Sequence, residues 1–250
     1  MADPTEELRE KIMLSCRMLA MEGMVDRITG HVSARIADSE DIWIRCRSPQ
    51  EDGVRYTTVD AIQRVDFDGK GPHKSEQYQA PNELPIHGEI YKMRPTVGCV
   101  IHAHPPEALI CGITKLKFRP IFGAFNIPAM RMALEGIPVF PRSYLMTRPE
   151  LAAPMIEIMG EKSLCLMKGH GITVTGKTVE EATVRALNFN ILAKATLQAA
   201  QTGRSAPDIS PEDIEKLPDL GSTFNDSWIW RYYARKLKEE DLRLSDRAGT

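Results

Sequence analysis

Two short runs joined by a glycine-flanked turn constrain the fold of this chain more than any other feature. Residues 163–167 form a continuous apolar run, residues 172–176 form a second run rich in β-branched side chains, and Gly169-His170-Gly171 separates them. Runs of this length on either side of a tight turn are typical of paired strands in a hairpin. Thr178-Val179-Glu180-Glu181 follows as a capping box, which predicts a long helix from Thr178 to about Gln201.

The same alternation of strands and helices continues through the rest of the chain. Apolar residues at helical spacing predict a first helix over residues 5–22, and residues 30–36 and 41–46 alternate like the strands of a hairpin. Further strands are predicted at residues 64–69, 97–102 and 137–140, and further helices at residues 83–93, 107–113 and 150–159. The pattern predicts an α/β fold, a single domain with a central mixed, mostly antiparallel sheet covered by helices.

A segment rich in proline, serine and aspartate, residues 203–218, is the one plausible linker. It divides the chain into a main domain, residues 1–203, and a C-terminal helical extension, residues 204–250. In that extension Trp228, Tyr232 and Arg235 share one face at helical spacing. We expect this face to pack on the domain or on a neighbouring subunit, where a tail tyrosine or arginine would be able to close a site.

The charge balance excludes several classes of function. With 32 basic and 34 acidic residues the net charge is −2, so no broad basic surface is available to bind nucleic acid. The acidic N-terminus is unlike a signal peptide, and no run approaches the length of a membrane span. The five cysteines are scattered without a CxxC pair, which is typical of reduced thiols. We therefore expect a cytoplasmic protein that acts on a small molecule.

Three of the six histidines occur in a pattern that suits a metal ion. In Val100-Ile101-His102-Ala103-His104 both imidazoles project from one face of the predicted strand, because side chains alternate along a strand. His170 lies between two glycines, whose missing β-carbons leave room for its ring and a ligand. Three protein nitrogens with an open position are what a catalytic zinc-type ion requires, and imidazole also suits iron, copper and nickel.

Each of these features has a structural alternative. An isolated HxH pair is often a surface feature, Gly-His-Gly is a common turn, and the sequence does not show whether His102 and His170 meet. Asn82 is predicted to cap the helix over residues 83–93, and a glutamate in a first helical turn, such as Glu83, most often complements the helix dipole.

The remaining histidines are less informative. His87 lies one helical turn after Glu83 and is placed to orient that carboxylate by hydrogen bonding. His73 lies in a polar loop over residues 72–80, where we expect it to be exposed.

The order of the motifs carries a specific resemblance. They are Glu83-Leu84-Pro85-Ile86-His87, Ile90-Tyr91, Arg94-Pro95, Val100-Ile101-His102-Ala103-His104-Pro105, Lys168-Gly169-His170-Gly171 and Gly176-Lys177-Thr178-Val179-Glu180-Glu181-Ala182. Over residues 8–201 the chain resembles the class II aldolase/adducin family. The resemblance implies a single α/β domain with a central mixed sheet, and a homotetramer with sites near the subunit interfaces.

The resemblance also implies a site. In enzymes of the family a glutamate and three histidines at the matching positions form a divalent-metal site. This makes His102, His104 and His170 the expected ligands, and Glu83 the residue that moves a proton. One divalent ion per subunit is expected, with zinc, manganese, iron and cobalt as candidates.

Two positions depart from the sugar-phosphate aldolases of the family. Gly30-His31 stands where those enzymes have Gly-Asn, and Pro81-Asn82 where they have Ser-Ser, so a phosphate site is not expected. Gly30-His31-Val32-Ser33 with Arg47-Ser48 is instead similar to the branch that decarboxylates hydroxylated aromatic dicarboxylates, such as dihydroxyphthalates or hydroxypyridine dicarboxylates.

The predicted substrate-binding residues are therefore His31, Arg47, Ser48 and Asn82. The guanidinium groups of Arg45 and Arg47 are able to take a carboxylate in a bidentate manner. The alternatives are a solvated strand face or a salt bridge between subunits for the two arginines, and a hydrogen-bonded turn for His31.

These observations predict a metal-dependent carbon–carbon lyase of aromatic catabolism that decarboxylates a hydroxylated aromatic carboxylate. Retro-aldol cleavage of a small hydroxy-carbonyl or sugar-derived substrate is the first alternative, because the same ion and Glu83 would serve both reactions. A non-catalytic interaction module similar to the adducin head domain is the second. It predicts loss of the metal ligands, whereas the glutamate and all three histidines are present.

Overall fold

The computed structural model describes residues 3–70 and 77–248, with side chains as far as residue 243. His73, expected to be exposed, lies outside the described residues. The strands are β1 (His31–Arg35), β2 (Asp41–Arg45), β3 (Ile62–Asp66), β4 (Cys99–Ala103), β5 (Val139–Phe140), β6 (Leu164–Met167) and β7 (Gly171–Gly176). The helices are α1 (Pro4–Met21), α2 (Leu84–Met93), α3 (Pro106–Thr114), α4 (Ile127–Glu135), α5 (Pro149–Met159), α6 (Val179–Gln201), α7 (Pro211–Lys216) and α8 (Ile229–Ala248).

The strands form one sheet in the order β3-β2-β1-β4-β7-β6-β5. Neighbouring strands are antiparallel except for the parallel pair β5 and β6. The prediction of a mixed, mostly antiparallel sheet covered by helices is confirmed. Both predicted hairpins, β1 with β2 and β6 with β7, are present. β4 lies between them, paired with β1 on one side and with β7 on the other.

Helices cover both faces of the sheet. Ile101 and Ala103 of β4 join a core that includes residues of α1, α4 and α6, whereas Val100 joins a second core with residues of α2 and α5. Because side chains alternate along a strand, His102 points to the same face as Val100. The sheet therefore directs this histidine toward α2.

The start of α2 differs from the prediction. Asn82 is exposed and does not cap the helix; Glu83 occupies the position before Leu84 and makes no capping hydrogen bond with its side chain. Leu84 N donates to Pro81 O at 3.0 Å, so a tight turn leads directly into the helix. This turn leaves the Glu83 carboxylate free to point elsewhere.

Two helices were not predicted. Asn126 caps α4 by accepting a hydrogen bond from Ala129 N at 3.0 Å, and Ser210 caps α7 by accepting from Asp213 N at 3.1 Å. α7 lies inside the predicted linker, which is also attached to the domain where Ile209 N donates to Pro120 O at 2.9 Å.

The C-terminal helix packs on the domain through a different face from the predicted one. Leu237 is buried, and Trp230 and Tyr233 pack against the core that α1 and α6 share. Trp228 and Tyr232 are 51% and 59% exposed. The predicted face is therefore not the one that packs on the domain, because α8 also carries a second apolar stripe. Its packing on a neighbouring subunit stays a prediction.

None of the described helices combines the length and the apolar character that crossing a bilayer requires. The five cysteines are buried, and none of them forms a disulfide within the described part of the chain.

Gly88 provides a test of how closely α2 packs on the sheet. A β-carbon at this position would lie 1.9 Å from Phe67 O, so we expect Gly88→Ala to lower the free energy of unfolding by about 2 kcal/mol. The control is Gly112→Ala in α3, whose β-carbon would meet the flexible Leu166 side chain at 3.3 Å and Cα of Lys168 at an ordinary 3.7 Å. This variant would gain about 1 kcal/mol of helix propensity. Urea denaturation measures both, and equal midpoints would contradict the packing.

Candidate metal centre

Four side chains from three separate segments converge beside the end of β4. One ligand atom from each of Glu83, His102, His104 and His170 lies within 4.8 Å of the others. His102 and His104 come from the end of β4, His170 from the turn between β6 and β7, and Glu83 from the residue before α2. The pairing of Ala103 with Ile172 brings the two histidine segments together.

The nitrogens that converge are all Nε2. Nε2 of His102 lies 2.8 Å from Nε2 of His104. Oε2 of Glu83 lies 3.4 Å from Nε2 of His102 and 3.3 Å from Nε2 of His170. Three imidazole nitrogens and a carboxylate oxygen therefore face one point.

Backbone groups hold two of these side chains in place. Nδ1 of His102 lies 3.1 Å from Ile172 O, and because a carbonyl only accepts, Nδ1 carries the proton and Nε2 is left as a free lone pair. Met146 N donates to Oε1 of Glu83 at 2.9 Å, which turns Oε2 toward the histidines. Sequence reasoning missed Met146, because its contribution is a backbone N–H, which any residue other than proline carries.

His170 shows that the donor set suits a cation. Both of its ring nitrogens are buried and have no hydrogen-bond partner among residues 3–70 and 77–248. A buried polar atom without a partner is costly, and a metal ion at Nε2 would satisfy that nitrogen. Nitrogen and carboxylate donors of this kind suit zinc, manganese, iron and cobalt.

Gly171 supplies the space that the sequence predicted. A β-carbon there would lie 2.3 Å from Ala103 O and 2.5 Å from Cδ2 of His104. Any larger residue would therefore displace the His104 ring. The glycine after His170 is required by close packing of the two segments.

Burial sets the charge of these groups. It lowers the pKa of His104 to about 3, with the neighbouring His102 and His170 adding to the effect, so the ring is a neutral ligand at neutral pH. Burial opposes ionisation of Glu83, but the nearby imidazoles of His102 and His170 outweigh it and lower the pKa of Glu83 below its ordinary value. Neutral imidazoles with a carboxylate are the protonation states that a divalent cation requires.

The predicted substrate-binding residues differ in their burial and in their connection to this cluster. His31 is 6% exposed and pairs with His102 across β1 and β4, with ring centroids 5.0 Å apart. Arg47 and Ser48 are partly buried, and Asn82 is exposed. Arg47 and Gln79 exchange two backbone hydrogen bonds of 2.8 and 2.9 Å, which attach the Arg47 loop to the segment that leads to Glu83.

Two predicted roles are wrong. His87 does not orient Glu83: its Nε2 lies 2.6 Å from Nδ1 of His31 and its Nδ1 lies 2.6 Å from Oγ of Ser33. One helical turn separates His87 from Glu83, but α2 begins after Glu83, so the two side chains are not stacked on one helical face. Arg45 is buried and pairs with Glu51 of its own chain, so its guanidinium is unavailable to a substrate.

Comparison with known proteins identifies relatives over most of the chain. Residues 10–197 match the family of class II aldolases and adducin N-terminal domains. A 3,4-dihydroxyphthalate decarboxylase from Arthrobacter keyseri is 42% identical over 227 residues, which cover 90% of this chain and 91% of the relative. A 3,4-dihydroxyphthalate decarboxylase from Rhodococcus jostii is 35% identical over 230 residues, 91% of this chain and 94% of the relative.

Solved structures match the fold. An aldolase II superfamily protein from Pseudomonas syringae has a TM-score of 0.79 at 19% identity, covering 96% of this chain and 95% of its own. An L-fuculose 1-phosphate aldolase from Glaciozyma antarctica has a TM-score of 0.73 at 18% identity, covering 97% and 95%. At this level of identity the similarity concerns the fold alone.

Acid stability of the metal-free protein tests the buried histidines. Burial lowers the pKa of His87 to about 3, whereas the unfolded chain has the ordinary value of 6.5. Below pH 6.5 the unfolded chain therefore binds a proton that the folded chain does not, and stability falls as pH falls, by about 2 kcal/mol at pH 5 for this ring. Urea denaturation from pH 8 to 5 measures the decline.

His87→Gln is the matched variant, since an amide retains hydrogen-bonding capacity but does not titrate. We expect a shallower decline of stability with falling pH in the variant. Parallel curves for the variant and the wild type would show that His87 takes up its proton in the folded state.

Proposed function

Because the chain belongs to the class II aldolase/adducin family, we propose that it is a metal-dependent lyase that removes carbon dioxide from a hydroxylated aromatic dicarboxylate. The observation that carries this proposal is 35–42% identity, over nine-tenths of the chain, to relatives named 3,4-dihydroxyphthalate decarboxylase. The convergence of Glu83 with His102, His104 and His170 supports it, because this reaction needs an electrophile and a proton donor together.

His102, His104 and His170 would hold one divalent ion through Nε2. When bound, the ion supplies Lewis-acid stabilisation of the negative charge that develops on the ring oxygens of the substrate. Zinc, manganese, iron and cobalt are the candidates.

Glu83 moves the proton. Its lowered pKa favours the carboxylate, which is ready to accept the proton of a phenolic hydroxyl beside the leaving carboxylate. Oε2 then delivers this proton to the ring carbon that carries the carboxylate. The carbon–carbon bond breaks, its electron pair returns to the ring as carbon dioxide leaves, and Glu83 is again a carboxylate. Met146 N holds Oε1 throughout and keeps Oε2 aimed at the cluster.

His31, Arg47, Ser48 and Asn82 position the substrate. His31 lies directly beside His102 and faces the same space. The backbone of Arg47 pairs with Gln79, four residues before Glu83, which supports a place for Arg47 in the substrate site. Its guanidinium suits bidentate binding of the carboxylate that is retained. Ser48 follows Arg47 in the same loop, and Asn82 precedes Glu83 in the turn before α2.

The assembly and its location are part of the proposal. We place the protein in the cytoplasm as a homotetramer in which residues 1–203 form the catalytic domain and residues 204–250 an extension. Large apolar side chains around α3, α4 and β5 are exposed and support an interface there: Ile110, Ile113, Phe125, Val139 and Leu145.

Substitution of Glu83 tests the proposed function. We expect the metal-loaded wild type to release carbon dioxide from 3,4-dihydroxyphthalate, and Glu83→Gln to retain metal while losing at least about a hundredfold in turnover, as for a lost general acid–base residue. Metal analysis and carbon dioxide release measure the two effects. Small sugar phosphates serve as control substrates. Aldehyde formation from these without decarboxylation would replace the proposal by retro-aldol chemistry.

Substitution of Arg47 tests substrate binding. Loss of a charge-assisted hydrogen bond predicts at least a tenfold rise in KM for Arg47→Gln, with a smaller rise for Arg47→Lys, which keeps the charge but not the bidentate fork. Arg27→Gln, at an exposed arginine paired with Asp26, is the control and should leave KM unchanged. An unchanged KM in both Arg47 variants would remove this residue from the substrate site.

A further inference from the structure

A chain of short hydrogen bonds leads away from the candidate metal centre into the core. Nδ1 of His31 lies 2.6 Å from Nε2 of His87, and Nδ1 of His87 lies 2.6 Å from Oγ of Ser33. Oγ of Ser33 lies 2.8 Å from the hydroxyl of Tyr91. All four residues are buried, with exposures from 0 to 6%. None of them other than His31 adjoins the four-residue cluster.

The two ends of the chain differ. At the inner end, the Tyr91 hydroxyl contacts Oγ of Ser33 and the backbone N–H of Val100, which can only donate to it. The Tyr91 ring packs against Phe67 and Arg35. At the outer end, His31 is 6% exposed and its ring lies beside that of His102, with centroids 5.0 Å apart. Its Nδ1 bonds to His87, so Nε2 is the ring nitrogen that remains for a substrate.

The hydrogen bonds can run in only two directions, because a neutral imidazole has one donor and one acceptor nitrogen. In the outward direction Tyr91 donates to Ser33, Ser33 to Nδ1 of His87, and Nε2–H of His87 to Nδ1 of His31. Every buried group in the chain is then satisfied, and His31 carries its proton on Nε2.

The inward direction leaves one group unsatisfied. His31 would donate to His87 and His87 to Ser33. Ser33 would then either donate to Tyr91 or accept from it, and in both cases one of the two hydroxyl protons would have no acceptor among the described residues. A buried donor without an acceptor is costly, which favours the outward direction by roughly fivefold or more. The same cost counts against a doubly protonated His31, because its Nδ1–H would also impose the inward direction.

We propose that Ser33, supported by Tyr91 and acting through His87, locks His31 in the tautomer that presents Nε2–H as a hydrogen-bond donor to the substrate. A donor at this position favours a carboxylate or phenolate oxygen, whereas the other tautomer would present a lone pair and repel it. The use of this donor for a dicarboxylate rests on the proposed function; the tautomer itself does not. Ser33, His87 and Tyr91 are positioning residues, since none of them reaches the substrate.

Neutron diffraction of the deuterium-exchanged, metal-loaded protein tests the proposed tautomer of His31 without any substrate. We expect deuterium on Nε2 of both His31 and His87, and none on Nδ1 of either. Deuterium on Nδ1 of His31 would overturn the proposal. Because this measurement needs no turnover, it remains decisive if the protein fails to decarboxylate any aromatic acid.

Two variants distinguish control of the His31 tautomer by Ser33 from a general effect of changing a buried residue. Ser33→Ala removes the hydroxyl that sets the direction, so we expect deuterium at His31 to divide between the two nitrogens. Tyr91→Phe leaves the Ser33 proton with one acceptor, Nδ1 of His87, so deuterium should remain on Nε2. A single undivided tautomer in Ser33→Ala would overturn the role of Ser33.

The same variants give a kinetic readout with the aromatic dicarboxylate. If half of the Ser33→Ala molecules carry the wrong tautomer, KM should rise about twofold or more, with metal content unchanged. Tyr91→Phe should change KM less. Tyr233→Phe, which removes a half-buried hydroxyl on the opposite face of the sheet, is the control. A larger rise in KM for Tyr91→Phe than for Ser33→Ala would contradict the proposed order of the chain.

Discussion

The antiparallel pairing of β4 with β7 brings His170 to His102 and His104. Because Ala103 lies opposite Ile172, the turn before β7 reaches the end of β4, where both remaining histidines project. Gly171 permits this approach, since any β-carbon would collide with the Ala103 carbonyl and the His104 ring. The same pairing supplies Ile172 O, which fixes the tautomer of His102. Position, spacing and protonation of the imidazoles therefore all follow from one strand pair.

The cluster is electrostatically incomplete when it holds only protein atoms. Three imidazole nitrogens and a carboxylate oxygen face one another in a buried space, and both ring nitrogens of His170 lack partners among the described residues. Burial holds the imidazole of His104 neutral, while the surrounding rings favour a charged Glu83. A divalent cation would satisfy the lone pairs and the negative charge together, which explains why the fold retains such an arrangement in its interior.

The fold and the four converging side chains do not by themselves select a reaction. Solved structures with the same fold include an L-fuculose 1-phosphate aldolase, and an ion with a proton-transferring glutamate is suited to either carbon–carbon cleavage. Selectivity must come from groups at the margin of the cluster. His31 lies beside His102, and its hydrogen bonds through His87 and Ser33 lead to Tyr91 of α2. A reaction with a charged aromatic acid requires hydrogen-bond donors at that margin, and the hydrogen bonds from Tyr91 to His31 supply one of them.

The sequence by itself determined the strands, the two hairpins and the common face of His102 and His104, because these depend on alternation and turn chemistry within short segments. The family motifs added Glu83 and His170 to the same site. Only the tertiary structure decided what each side chain contacts. It placed His87 against His31 rather than Glu83, paired Arg45 with Glu51, turned a different face of α8 toward α1, and brought the Met146 N–H to Glu83. These contacts join residues that are distant in sequence or separated by a turn, and their partners are set by packing between layers, which leaves no periodic signal in the chain.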